Sequence, residues 1–337
     1  LTLLAGCQKD PITHLEEAGA RLIRNPDGQV SGVRMLNLKA TDPDVRRLAE
    51  IPSLQSLSIQ ECPGITGSGL EAIAQLPELK QLSIILTPVD DAGMAHLAAA
   101  SQLEVLALTG TPVTDAGLKS LSSCGQLKRL TLNNLQGVTD AALSPCASLK
   151  ALESLSLAGC QGISGSGLAS LKALPALRVI DLTGTKVLSQ GAEHLAQIGQ
   201  VHELVLDTTL VTDDVAAQIA RVTGLQRLVL GGAPITDAGL MRLTSLKELR
   251  SLDLSGCNQI PPSAWSELLN FPALEELLLT SIKGLTDEEA GVLASIPTLR
   301  RVNVANTRFS AQAAKRVKDA IPECSIVFGA EPNTEQL

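Results

Sequence analysis

The sequence predicts a right-handed α/β solenoid of stacked units, with parallel strands on its concave side and short helices on its convex side. Three observations predict it. The first is a leucine frame, read most clearly at residues 103–121 (LEVLALTGTPVTDAGLKSL), where Leu103, Leu106 and Leu108 spell L-x-x-L-x-L. The second is a helix-start signal at constant offset, Thr114-Asp115-Ala116-Gly117-Leu118. The third is a core almost without rings: hydrophobic residues make up 45% of the 337-residue chain and aromatics 1%. A fixed period of this size means units stacked in one dimension, not one closed core.

Before the repeats, residues 12–20 (ITHLEEAGA) have helical spacing and Gly19 is a stop signal. Residues 21–24 alternate like a strand, Asn25-Pro26-Asp27-Gly28 is a turn, and residues 30–38 are extended again. Residues 8–32 therefore read as a helix-and-hairpin cap covering the apolar end of the stack. The frame then recurs over residues 33–322, beginning at Val33, Leu54, Leu79, Leu103, Leu127, Leu152, Leu177, Val201, Leu225, Leu249, Leu274 and Leu299. That gives about 12 repeats, with a first step of 21 residues and later steps of 24 or 25. The extra residue falls in a loop, as in Cys62-Pro63-Gly64-Ile65-Thr66, where it costs little.

Within a unit, the second and third leucines of the frame point inward with the period of a strand. Thr66, Thr114, Thr139, Ser164, Thr212, Thr236 and Thr286 then stand where a helix N-cap is needed. An acid often follows, as at Asp115, Asp140, Asp213, Asp237 and Asp287, which favours a helix N-terminus. Strand, helix and parallel strand demand a crossover, and right-handed crossovers prevail. Residues 310–321 form a last helix, and residues 323–337 a closing strand and polar tail.

The pattern L-x-x-L-x-L-x-x-C/T-x-x-I/V-T-D-x-G-L-x-x-L resembles the leucine-rich repeat, in its cysteine-containing, ribonuclease-inhibitor-like form. Cys62, Cys160 and Cys257 occupy the cysteine position, and Thr87, Thr111, Thr185, Thr209 and Thr307 replace it elsewhere. The resemblance implies a horseshoe and a role in binding other molecules. The cap (ITHLEEAGARLIRNPDG) and the end (IPECSIVF) also resemble exported planctomycete-type bacterial proteins of this kind. Leu4-Ala5-Gly6-Cys7 resembles the bacterial lipobox, in which the cysteine is lipidated. On that reading residues 1–7 are a signal-peptide remnant, Cys7 carries the lipid, and the chain is held at the cell envelope. The alternative is a cytosolic adaptor with an incidental Cys7.

Candidate chemistry is thin. Cys62, Cys160 and Cys257 lie four units apart, roughly 20 Å at strand spacing and beyond disulfide reach. Cys124 lies 21 residues after Leu103 and Cys146 only 19 after Leu127, an offset that disfavours a bridge. Unpaired thiols fit a reducing compartment, in tension with the lipobox. His14, His96, His194 and His202 fall on different units and faces, so neither a metal site nor a catalytic triad converges. Asp207, Asp213 and Asp214 could suggest a calcium site, but Asp213 reads as the usual helix-start acid and Asp214 as its first-turn neighbour; Trp265 aligns with core leucines such as Leu168. No cofactor motif is present.

The sequence therefore predicts a non-enzymatic scaffold for a protein or glycan partner, monomeric, with the membrane reached through the lipid on Cys7. A net charge of −8 and the lack of stacking rings argue against nucleic acid. Two exposed columns run along the strands, one from Met35 through Ser56 and Gln81 to Arg301, the other from Asn37 through Ser58 and Ser83 to Asn303. Among their charged members, Arg129, Asp181, Glu203, Arg227 and Asp253 are the expected partner-binding residues.

Overall fold

The computed structural model describes residues 11–17, 19–37, 39–187, 189–329 and 335–336. Two compact units divide it, Leu1–Glu153 and Ser154–Leu337.

The first unit opens with a helix at Pro11–Glu17, ended by Gly19 at φ 93°, as its sequence requires. The strands β1 (Arg21–Arg24) and β2 (Val30–Leu36) form the expected hairpin, with Gly28 at φ 82° in the turn. From β2 onward the strands are parallel and in chain order: β3 (Ser56–Gln60), β4 (Gln81–Ile85), β5 (Val105–Thr109) and β6 (Arg129–Asn133). The second unit repeats the plan with shorter strands: β7 (Ser154–Ser156), β8 (Val179–Asp181), β9 (Glu203–Val205), β10 (Arg227–Val229), β11 (Ser251–Asp253), β12 (Glu276–Leu278), β13 (Arg301–Asn303) and β14 (Ser325–Phe328). β15 (Glu335–Gln336) pairs antiparallel with β14. Each strand leads through a loop to a short helix and back to the next parallel strand. This is the architecture of a leucine-rich-repeat solenoid.

The core lies between strands and helices and is aliphatic, as composition demands. Leu106, Leu108, Leu118 and Leu121 are fully buried in one coil, and Leu228, Leu230, Leu240 and Leu243 in another. Its rings are Trp265 and Phe271, each 1% exposed, together with Phe309 and Phe328, which are also buried. The helices mix α and tighter 3-10 turns; Ser166–Ala173 and Pro262–Asn270 are 3-10 throughout.

The register corrects the first step of the frame. Val33 pairs with Leu57 and Met35 with Ile59, so the first coil is framed by Val30, Val33 and Met35. Its step to Leu54 is 24 residues (54 − 30), not 21. Met35 is buried at 1% exposure and belongs to the core, not to the exposed column. Asn37 lies beyond the strand in a left-handed conformation at φ 52°. The positions of β2 level with Ser56 and Ser58 are instead Gly32, buried beneath Ile23 of the hairpin, and Arg34, which is exposed.

A residue five places after the first exposed strand position is left-handed in coil after coil. Asn37, Glu61, Leu86, Gly110 and Asn134 occupy it in the first unit; Gly159, Gly184, Thr208, Gly232, Gly256, Ser281 and Asn306 in the second. Its N–H donates to the next coil, as Leu86 N to Thr109 O at 2.8 Å and Thr208 N to Gly231 O at 2.9 Å. The turn thereby continues the hydrogen-bond ladder past the end of each strand.

The Thr-Asp-x-Gly motif has a use beyond capping. Thr66, Thr114, Thr139, Thr236 and Thr286 do cap their helices, accepting from the backbone N–H two residues on. Thr212 makes no side-chain cap bond. The aspartate that opens one helix also reaches the cap threonine of the next coil. Asp91 accepts from Thr114 N at 2.8 Å and Thr114 Oγ1 at 2.7 Å. Asp42 does the same to Thr66, Asp115 to Thr139, Asp213 to Thr236 and Asp287 to Ser310. The motif glycine follows from this clasp. A Cβ on Gly117 would stand 2.4 Å from Asp91 Oδ1, and one on Gly239 2.3 Å from Asp213 Oδ1.

Candidate interaction surface

From β3 onward the face of each strand opposite the helices is open. Its exposed positions come from the alternation of the strand: Glu203 and Val205 outward on β9, Leu204 inward. Parallel register then stacks equivalent positions into columns, so side chains one coil apart are neighbours.

In the second unit this stacking pairs opposite charges. Arg227 Nε lies 3.2 Å from Glu203 Oε1, one strand away. Across Ser251, which is short enough to be spanned, Arg227 lies 3.7 Å from Glu276 Oε2. Ser251 Oγ donates to the same Glu276 oxygen at 2.7 Å, and Arg301 donates to Glu276 Oε1. Burial pushes the Glu276 carboxyl up, but the bonds from Ser251 and Arg301 and the charges of Arg301 and Arg227 outweigh it and hold it below its usual value. Glu203, Arg227, Glu276 and Arg301 therefore form a self-neutralising ladder.

Asp181 and Asp253 are engaged differently. Asp181 Oδ1 accepts from Thr183 N at 2.9 Å, and Asp253 Oδ1 from Ser255 N at 2.8 Å. Asn303 makes the same turn with Ala305 N at 3.0 Å. These side chains close the strand end by bonding to a backbone N–H two residues on, a habit of Asp and Asn. Ser156 Oγ also donates to Asp181 at 2.8 Å. Asp207 sits near both aspartates. Burial, then the charges of Asp253 and Asp181, push its carboxyl above its ordinary value.

In the first unit Arg129 is exposed at the first open position of β6, with no ion-pair partner among the described residues. Beside it Glu104 bridges Lys128 at 2.7 Å and Lys80 at 3.8 Å. Of the five residues expected to meet a partner, Glu203 and Arg227 come together, Asp181 and Asp253 serve turns, and Arg129 stands free. Cys7 lies outside the described residues. Sequence reading missed Glu276 and Arg301 as the closing half of the ladder, although column order with a small Ser251 between would have found them. It also missed Arg34, because a frame three residues late took that position out of the columns.

Six cysteines, Cys62, Cys124, Cys146, Cys160, Cys257 and Cys324, are free thiols and buried. Burial pushes the thiols of Cys146 and Cys257 up to about 12, so both stay protonated and inert. Among the described residues no three His, Cys, Asp or Glu side chains converge as a metal site would require. Asp213 is committed to its clasp with Thr236.

Comparison with known proteins agrees on the repeat. The family model described as leucine rich repeat matches residues 50–74, 101–122 and 149–172. No curated protein matches the chain. Among solved structures, an internalin from Listeria monocytogenes is similar over 97% of this chain and 94% of its own, with 17% identity and a TM-score of 0.60. A leucine-rich-repeat protein of Leptospira interrogans is similar over 83% of this chain and 74% of its own, with 18% identity and a TM-score of 0.55. The protein in the TLR13–ssRNA13 complex is similar over 79% of this chain and 41% of its own, with 18% identity and a TM-score of 0.55. These likenesses concern the fold. The chain carries leucine-rich repeats and has the leucine-rich-repeat fold, built of coils from the cap hairpin to β14.

Proposed function

We propose that the chain is a non-enzymatic scaffold that holds another protein against the open face of its strands. The observation that carries this reading is the regular array of outward side chains that the coil register places one strand apart, with the hydrophobic residues spent on the core. A protein partner is favoured over a glycan because the exposed strand positions offer no aromatic ring for a sugar to stack on. The net charge of −8 speaks against nucleic acid, whatever the similar fold in the TLR13–ssRNA13 complex binds.

The proposed location is the cell envelope, through a lipid on Cys7, and the support is Leu4-Ala5-Gly6-Cys7. Cytosolic residence is the second reading, favoured by six thiols that form no disulfide. Their burial lessens the conflict with export, since a buried, protonated thiol resists oxidation. Expressing wild type and Cys7→Ser in a bacterium and fractionating the membranes separates the two. Release of the variant supports anchoring, and equal distribution sinks it.

The scaffold reading is tested by placing a photo-crosslinking side chain at Val105 or Val179 on the open face and at Glu288 on a helix. Protein adducts are expected from the strand positions. Adducts from none of them, or equally from Glu288, would overturn it.

A further inference from the structure

A groove of about 570 Å³ lies within the first unit, on the open face of β1 to β5. Its floor is made of small side chains: Ser56 and Ser58 on β3, Ser83 on β4, Ala107 on β5. One wall is Ile23 of the cap hairpin, which folds over Gly32; a Cβ on Gly32 would meet Ile23 at 3.1 Å and Ser56 Oγ at 2.7 Å. Arg21 and Arg34 line the same wall.

These two arginines are directly opposed across the antiparallel β1–β2 pair, so their side chains share one face. Both are exposed, and among the described residues neither guanidinium has a hydrogen bond or a carboxylate partner. The hydroxyls of Ser56, Ser58 and Ser83 likewise make no bond among the described residues. Like charges facing each other on neighbouring strands cost stability. In a chain of net charge −8, two such arginines with no acid between them have the charge and geometry to hold a carboxylate.

We infer that this groove binds an acidic peptide segment, one carboxylate held between Arg21 and Arg34 and the backbone lying across the serine floor. The inference rests on the scaffold reading above and names the chemistry of the partner. Three strand steps from β2 to β5 span about 14 Å, the length of about four extended residues. Ser56, Ser58, Ser83 and the Gln81 amide suit peptide N–H and C=O groups. No aromatic ring lines the groove, so a sugar or a base has no platform there.

The experiment is calorimetric titration of the full chain with a blocked pentaglutamate peptide, at low and high salt. Binding at about 1 mM or tighter is expected, weakening with salt. Pentaglutamine should not bind. The double variant Arg21→Gln, Arg34→Gln should lose about tenfold or more in affinity, while Arg242→Gln on a helix of the second unit should not. The double variant relieves the opposed charges, so its melting temperature should hold or rise, which separates lost binding from lost fold. No binding by the wild type, or equal binding by the double variant, overturns the inference. Equal affinity for inorganic phosphate or a sulfated disaccharide also overturns it, in favour of a general anion site. Crosslinks that persist from the open face while pentaglutamate binding fails would sink the groove and leave the scaffold standing; loss of all crosslinks would sink the scaffold itself.

Discussion

The two units are built from the same coil, yet their open faces differ in how charge is spent. In the second unit Glu203, Arg227, Glu276 and Arg301 satisfy one another along a column, while Asp181 and Asp253 close strand ends. In the first unit Arg21, Arg34 and Arg129 have no ionic partner among the described residues, and serines surround the first two. The charged-looking face is therefore the self-contained one. The lesson is that a charged column read from a repeat shows where a partner could be met, and only the pairing shows whether the charge is still available.

Four predictions test that contrast, beginning with what both units share. Gly117→Ala and Gly239→Ala each drive a methyl into the clasp of the preceding coil. Each should lower stability by about 2 kcal/mol, seen as an earlier urea midpoint. A neutral result in either unit would mean that the clasp is not a common scaffold element there.

Next, Glu276→Ala strands Arg301 and leaves Arg227 with Glu203 alone, and should cost about 1 kcal/mol, a figure held low because both arginines remain partly in water. Arg34→Ala in the first unit should cost nothing or stabilise slightly, since it removes a like-charge opposition. Similar losses from both would erase the distinction between the faces.

Acid should act through the clasps of both units and the ladder of the second. For Asp42 and Asp91, burial pushes the carboxyl up, but bonds from the next coil outweigh it and hold it below the ordinary value. Asp287 is lowered by the backbone and hydroxyl of Ser310. Glu276 is lowered as described. A carboxyl depressed in the folded state stabilises above its unfolded value, and that contribution is lost as pH falls through the folded one. The urea midpoint should therefore fall between about pH 5 and about pH 2. Asp91→Asn should make that fall shallower, and an unchanged slope would contradict the assignment.

The smallest effects belong to the left-handed turn. Leu86→Gly and Thr208→Gly, one in each unit, should stabilise by a few tenths of a kcal/mol, because relief of the left-handed strain slightly exceeds the entropy cost of glycine. Thermal melts of the two variants measure it.

Much of this was legible in the residues. L-x-x-L-x-L placed the strands, Thr-Asp placed the helix starts, and the scarcity of rings foretold an aliphatic core. The first coil was misread because Val30-x-x-Val33-x-Met35 and Val33-x-x-Leu36-x-Leu38 both satisfy the frame, and only the spacing to Leu54 favours the former. The left-handed position was hidden because Asn, Gly, Glu, Leu, Thr and Ser all occupy it. The interior commitments of Glu203, Arg227, Asp181 and Asp253 were hidden for another reason. Frame position says which way a side chain leaves the strand, but pairing depends on the neighbour one coil on and on how small the residue between them is.

The clasp also sets where such a chain can be cut and rejoined. A block running from aspartate to threonine, such as 91–114, 115–139 or 213–236, contains both halves of its own clasp. A block cut from strand to strand carries half of two different ones. Thr41 and Thr286, which lack an upstream aspartate, bond within their own coils to Asp44 and Glu289 instead. Coils exchanged in aspartate-to-threonine blocks should join without mending, so the natural joint of this solenoid falls inside the helix start, away from the strands that define its repeats to the eye.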